Sequence, residues 1–395
     1  MKTIFLHIGV HKTASTNIQE TLGQNRELLN SIGLLYPEFE YKNTSINNHS
    51  IPMYSMFCDD PLKYHIYIND EIESRDVINK LNQGYSRHLV KQIRQFSGDK
   101  IIFSGEDISH LSSSQIMQFK EYLVNLLGID VDFKVIIFCR HPVPWLRAHV
   151  QYFTFDGKSP NELELRFRNF TPTYYQTIVK NFAHVFGMTN IIGIRFEDAI
   201  AYNTGPTGML LDIIVLKEIC KIPLVNNIFN KSPSYEAVKL CEAICAILPK
   251  DSGSELKEIK WSQLRAIPGT KFTLGKQFSE QFWLRMKRDI DWFCNTFSLP
   301  LYEFFCEKPT VNTSTWSLQS IEFIDSILEE QPTKTRGIII NTINRELGHK
   351  RKEFGKQKIK MIRLFIKKYR CYLKQYRRYC KGRRTINDNL LLIIL

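Results

Sequence analysis

The twenty residues MKTIFLHIGVHKTASTNIQE at the amino end constrain the fold more than any other stretch. Lys2 to His7 is a short apolar run rich in Ile, Phe and Leu, the pattern of a buried parallel strand. Gly9 opens a loop of Val10, His11, Lys12 and Thr13. Ser15 and Thr16 then begin a helical period with Ile18, Leu22 and Leu29 on one side. The first turn of a helix has N–H groups without intrahelical partners and carries partial positive charge. A strand, a tight loop with one Lys and a helix opened by hydroxyl residues therefore predict an anion site suited to phosphate or sulfate.

Further apolar runs suggest how this unit is extended. Short strands are predicted at Ile32–Tyr36, Ile101–Ser104, Val131–Cys139 and Asn190–Ile194. Helices are predicted between them, about Ile72–Phe96, Ser112–Leu127, Trp145–Phe155 and Tyr174–Phe186. Strands alternating with helices imply a parallel sheet with right-handed crossovers, hence an α/β three-layer sandwich. Residues 38–60 are polar and turn-rich and are expected to wall an acceptor pocket. Beyond Gly208 the pattern is mainly helical, with helices at Met209–Cys220, Tyr235–Leu248, Ser279–Thr296 and Gln319–Glu329. The expected division is an α/β domain over 1–310 and a helical, strongly basic extension over 311–395.

Charge is unevenly placed. Residues 350–384 hold 16 Lys or Arg and the single acid Glu353, which exceeds the whole chain's net +13. The main domain is therefore slightly acidic, and no specific nucleic-acid partner is expected of it. In the tail, Ile359, Ile362, Ile366, Tyr369, Leu373, Tyr376 and Cys380 recur at steps of three and four. They form one apolar stripe on a basic helix, which points to an anionic membrane surface, with a coiled-coil seam or an acidic glycan or nucleic acid as alternatives. The nine cysteines are scattered without a C-x-x-C pair, which argues for a reducing compartment and against a zinc finger. No signal peptide and no apolar run of about 18 residues is apparent, so the expected location is cytoplasmic, with peripheral contact at the inner face of the membrane.

The second anchor is FCRHPVPWLRAHVQYF, residues 138–153. Arg140 stands at the carboxyl end of the third long strand, where open α/β sheets bind ligands. A guanidinium there can grip a phosphate with two parallel hydrogen bonds.

HIGVHKTASTNIQ is not a Walker A loop: Lys12 follows Gly9 by three positions and no Gly directly precedes it. It resembles the 5′-phosphosulfate loop of sulfotransferases that use 3′-phosphoadenosine 5′-phosphosulfate (PAPS), which in bacterial members commonly reads HIGxHKTGTTSIQ. This chain departs at Ala14, Ser15 and Asn17. The Arg140 segment is similar to the 3′-phosphate motif of the same family, with Ala148 and then His149 where a Ser follows in the family. IRFEDAI (194–200) and NKSPSYEA (230–237) also resemble bacterial members. The resemblance spans about residues 3–300 and implies a P-loop NTPase-like α/β fold and sulfuryl transfer from PAPS to a hydroxyl of a glycan or glycolipid. An ATP-using P-loop kinase-like enzyme and a catalytically inactive nucleotide- or glycan-binding relative are the alternatives.

The resemblance assigns roles by position. His11, Lys12, Thr13, Ala14, Ser15, Thr16 and Asn17 would line the phosphosulfate, with Lys12 on the leaving oxygen. Arg140 and Ala148 would mark the 3′-phosphate site, and Lys231 would reach the nucleotide. Glu106 directly follows a strand in SGEDISH and is the first choice for the base that deprotonates the acceptor. His49 in NNHS is the second, because a neutral imidazole suits base work near neutral pH. His11 and Asp107 are expected only to position. No metal is expected.

Overall fold

The computed structural model of the chain describes residues 1–128, 130–158, 160–214, 222–224, 232–248, 253–305, 316–349 and 356–374. Seven strands are described: β1 (Lys2–His7), β2 (Leu34–Leu35), β3 (Phe39–Tyr41), β4 (Thr44–Ile46), β5 (Lys100–Ser104), β6 (Val131–Cys139) and β7 (Ile191–Arg195). Five of them form one sheet in the order β2-β5-β1-β6-β7, and every pairing in it is parallel. The first strand is thus the central one. The chain steps outward from it to β2, returns through β5, and then crosses to the other side for β6 and β7.

Period-two alternation sorts the strand side chains onto two faces. Phe5, Ile102, Ile136, Phe138 and Ile194 join one buried cluster with Ile18 and Leu22 of α1 (Ser15–Gln24) and with Leu210 and Leu211 of the helix Gly205–Ile213. On the opposite face Phe103 meets Phe119 of the helix Ser113–Leu127, and Phe133 meets Phe186 of the helix Tyr174–Phe186. Both faces are covered by helices, so the α/β sandwich with a central parallel sheet is the observed architecture.

The strands lie where the sequence placed them, to within one or two residues, save that β2 is only Leu34–Leu35. The stretch 38–60 is more ordered than its polar composition suggested. It forms a β3–β4 hairpin and a helix, Ser50–Phe57. Pro52 sits in the first turn of that helix, where its missing N–H breaks no bond. The helix begun at Gly205 starts earlier than expected, and the expected portion beyond Ile214 lies outside the described residues up to Lys221.

Two compact units share the chain, and neither is continuous in sequence. The sheet unit holds Met1–His141, Pro172–Phe229 and Met286–Glu303; the other holds Pro142–Thr171, Asn230–Arg285 and Phe304–Leu395. The division is not the single cut near residue 310 that composition suggested. The second unit is built of helices, and its core gathers Leu240, Cys241, Ile244, Trp316, Ile324, Ile339 and Ile343. Ile362, Phe365, Tyr369 and Leu373 of the basic tail are buried in that same core. Over this span the stripe that could have faced a membrane faces the unit's own interior. No described helix is long and apolar enough to cross a membrane.

Candidate functional site: an anion loop with a His–carboxylate cluster

The loop after β1 is held by its own backbone. Ile8 N–H reaches the Ile136 carbonyl at 3.1 Å, and the Thr13 hydroxyl donates to the Val10 carbonyl at 2.6 Å. Thr13 is fully buried, so its hydroxyl closes the loop rather than lining its mouth. Gly9 is required by close approach: a Cβ there would lie 2.8 Å from His7 Nε2 and 2.9 Å from Ser15 Oγ. Lys12 (φ 69°) and Ala14 (φ 61°) are left-handed while Thr13 between them is not. That alternation turns successive N–H groups to one side, as in anion-binding nests. Ala14 is the N-cap of α1 and offers no side-chain cap. Beneath it, Ser15 Oγ and His7 Nε2 are buried and have no hydrogen-bond partner among the described residues. Thr16 is exposed, and Asn17 Oδ1 accepts from Thr207 at 2.9 Å, which ties α1 to the helix Gly205–Ile213.

Arg140 closes the far side. It leaves the carboxyl end of β6, its backbone N–H donates to the Tyr175 hydroxyl at 3.0 Å, and its Nη1 donates to the Lys12 carbonyl at 2.5 Å. Its guanidinium also lies over the Phe196 ring, 5.2 Å from the centroid. Arg140 is therefore tied to the main chain of the loop that carries Lys12, across the neighbouring strands β1 and β6.

The third wall comes from β5. His11 Nδ1 lies 3.2 Å from Glu106 Oε1, and its Nε2 lies 3.3 Å from Asp107 Oδ1. His110 Nε2 approaches the same His11 Nε2 at 3.4 Å. Burial works against charge on His11, but the Asp107 and Glu106 carboxylates outweigh it and hold the imidazole up to about 9. Burial likewise opposes ionisation of Glu106, and the His11 contact outweighs it, with the Lys12 charge assisting, so its pKa lies below the ordinary value. Asp107 is lowered in the same way, against burial, by His11 and by the Tyr64 hydroxyl, which donates to its Oδ2 at 2.7 Å. Glu106 is the more open of the two carboxylates, with 26% of its side chain exposed against 7% for Asp107.

The structure brings together His11, Lys12, Thr13, Ala14, Ser15, Glu106, Asp107 and Arg140 over the carboxyl ends of β1, β5 and β6. His49 is placed elsewhere in function. It is fully buried, its Nε2 bonded to the Pro37 carbonyl at 2.8 Å and its Nδ1 accepting the Ser104 N–H at 3.3 Å. It stacks on Tyr36 with centroids 4.1 Å apart, and burial pushes its pKa down to about 3. Both ring nitrogens hold β5 to the segment after β2, which leaves none for an acceptor hydroxyl. Ala148 is half-buried on the second unit's helix Pro142–Phe155, beside a buried His149 that stacks on Trp145. Lys231 lies outside the described residues. Sequence reasoning missed His110 and Tyr64. His110 follows Asp107 by three positions in SGEDISH, a spacing that aligns side chains in the 3₁₀ turn found there. Tyr64 left no signal, being 43 positions from its partner.

No family model matches the chain, and no curated protein matches it. Among solved structures, a sulfotransferase from Alicyclobacillus acidocaldarius is similar at 12% identity with a TM-score of 0.37, over 76% of this chain and 98% of that one. A likeness that distant carries no weight for activity. The functional reading rests on the loop, the two cations and the carboxylates of this chain.

Proposed function

We propose that this protein is a PAPS-dependent sulfotransferase that transfers the sulfuryl group to a hydroxyl of a glycan or glycolipid. The observation that carries the reading is the hydrogen bond from the Arg140 guanidinium to the Lys12 carbonyl of the anion loop, beside a buried Ser15 hydroxyl that has no partner among the described residues. An anionic ligand with phosphate-type groups suits a loop that carries Lys12 and has Arg140 bonded to its main chain. A buried unpartnered hydroxyl costs free energy unless a ligand or water meets it.

In this reading the acceptor oxygen attacks sulfur in line, the new bond is O–S, and the bond from sulfur to the bridging phosphate oxygen breaks. Negative charge grows on that leaving oxygen, where the Lys12 ammonium and the α1 amino end stabilise it. Glu106 takes the acceptor's proton. It is ionised and partly open, whereas His11 is held protonated between two carboxylates and supplies positive charge. Arg140 grips the 3′-phosphate that distinguishes PAPS from ATP. The glycan or glycolipid acceptor is the class that the sequence resemblance implies.

The test is equilibrium binding followed by transfer. Adenosine 3′,5′-bisphosphate should bind more tightly than ATP, and labelled PAPS should label an acceptor in a glycan or glycolipid extract. Lys12→Ala should abolish transfer while the unfolding midpoint stays near that of the wild type. Preference for ATP, or transfer retained by Lys12→Ala, overturns the assignment.

A further inference from the structure

Three side chains outside the phosphate-gripping pair converge on one point. His11 comes from the loop after β1, and Asp107 and His110 come from the 3₁₀ turn Asp107–His110 after β5. One donor atom from each lies within 4.8 Å of the others. The distances are informative. His11 Nε2 is 3.3 Å from Asp107 Oδ1 and 3.4 Å from His110 Nε2. A charge-assisted N–H···O bond would be shorter, about 2.7–2.9 Å. One ring N–H can point well at only one acceptor, yet two sit at nearly equal distance from it. Ligand atoms around a tetrahedral ion with bonds of about 2.1 Å stand about 3.4 Å apart. The outer partners also suit such a site. His11 Nδ1 faces the Glu106 carboxylate at 3.2 Å, and the second Asp107 oxygen accepts the Tyr64 hydroxyl at 2.7 Å. Ligating imidazoles and carboxylates are held by contacts of this kind.

We propose that His11, Asp107 and His110 form a binding site for a divalent first-row transition-metal ion, with two imidazoles and one carboxylate as ligands and a further coordination position open. Imidazole and carboxylate donors suit zinc and its neighbours better than magnesium or calcium. His110 is exposed, so the open side of the site faces solvent and gives the ion a way in. The ion displaces the proton that His11 carries in the metal-free protein and takes over its positive charge, and it fastens the anion loop to the turn after β5.

Untagged full-length protein is loaded with Zn²⁺, freed of excess by gel filtration, and analysed for metal without nucleotide present, so the result is independent of donor binding. Wild type should retain about one zinc per chain, as a three-ligand protein site does. Co²⁺ loading should give the visible absorption of a nitrogen- and oxygen-ligated four- or five-coordinate ion. His110→Ala alters an exposed residue, so its unfolding midpoint in EDTA should match the wild type while its zinc is lost. Tyr64→Phe, which removes only the outer hydrogen bond, should weaken zinc by about 10–100-fold. Absence of retained zinc in the wild type, equal retention by His110→Ala, or a thiolate charge-transfer band with Co²⁺ would each overturn the site.

Discussion

Ala14 holds a left-handed backbone, φ 61° and ψ 20°, that its methyl group makes costly. A Gly there would carry no such strain, though it would gain disorder in the unfolded chain. Ala14→Gly should therefore raise stability by about 0.5–1 kcal/mol, read as a higher urea midpoint with an unchanged slope. A lower midpoint would mean that the methyl group contributes packing that outweighs the strain. Glu106 makes a second prediction at this scale. As the proposed base, its change to Gln should lower turnover about 10²–10⁴-fold while adenosine 3′,5′-bisphosphate binding is little affected. The reverse pattern, weak binding with turnover kept, would make Glu106 a binding residue. The placement of Lys12, Arg140 and Glu106 at one end of the sheet was legible because Arg140 directly follows β6, Glu106 lies two residues past β5 and Lys12 sits in the loop after β1, and parallel strand ends converge by topology. The burial of His49 was not legible, because it depends on Tyr36 and Phe103 packing around it from distant parts of the chain.

At the scale of elements, two neutral histidines are built into the frame of the sheet. His7 ends β1, fully buried, its Nδ1 2.8 Å from Ser104 Oγ. His49 opens the helix Ser50–Phe57. Burial pushes their pKa values down, to about 4 for His7, against a smaller pull from Glu106, and to about 3 for His49. A folded-state pKa below the unfolded value of about 6.5 means that the unfolded chain binds more protons between the two values. Stability is therefore unaffected by these groups above about pH 6.5 and falls as pH drops below it. Between pH 7 and pH 5 each should remove about 2 kcal/mol. His49→Gln should flatten that acid limb relative to the wild type in urea titrations at the two pH values. An acid limb of equal steepness in the variant would show that carboxylates alone set it. The strands were legible from their apolar runs. The helix Ser50–Phe57 was not, since eight residues with a Pro and two Ser carry no clear period, and its order comes from packing.

For the whole molecule, the amphipathic tail shows where sequence pattern stops short of assignment. A stripe at three- and four-residue steps states that one helix face is apolar, but not what covers it. In the second unit Ile362 is 0% exposed within a core shared with Ile324 and Ile339. Lys368 and the Tyr369 hydroxyl both bond Asp325 at 2.7–2.9 Å, which fixes the helix against its neighbour Leu318–Ile327. The residues left outward include Arg363, Lys367, Arg370 and Lys374, all exposed. The two faces thus make separate predictions. Ile362→Ala should cost about 2–5 kcal/mol as a core truncation, seen as a lowered thermal midpoint. Reversing the four exposed charges to Glu should shift stability far less, because solvated charges contribute little. We propose that this basic face, rather than the buried apolar stripe, meets anionic membranes; the same reversal should then abolish sedimentation with phosphatidylserine vesicles, where each basic residue near the surface contributes about 1 kcal/mol. Sedimentation that persists after the reversal would locate any membrane contact outside this helix, because over this span the apolar face is already occupied by the unit's own core.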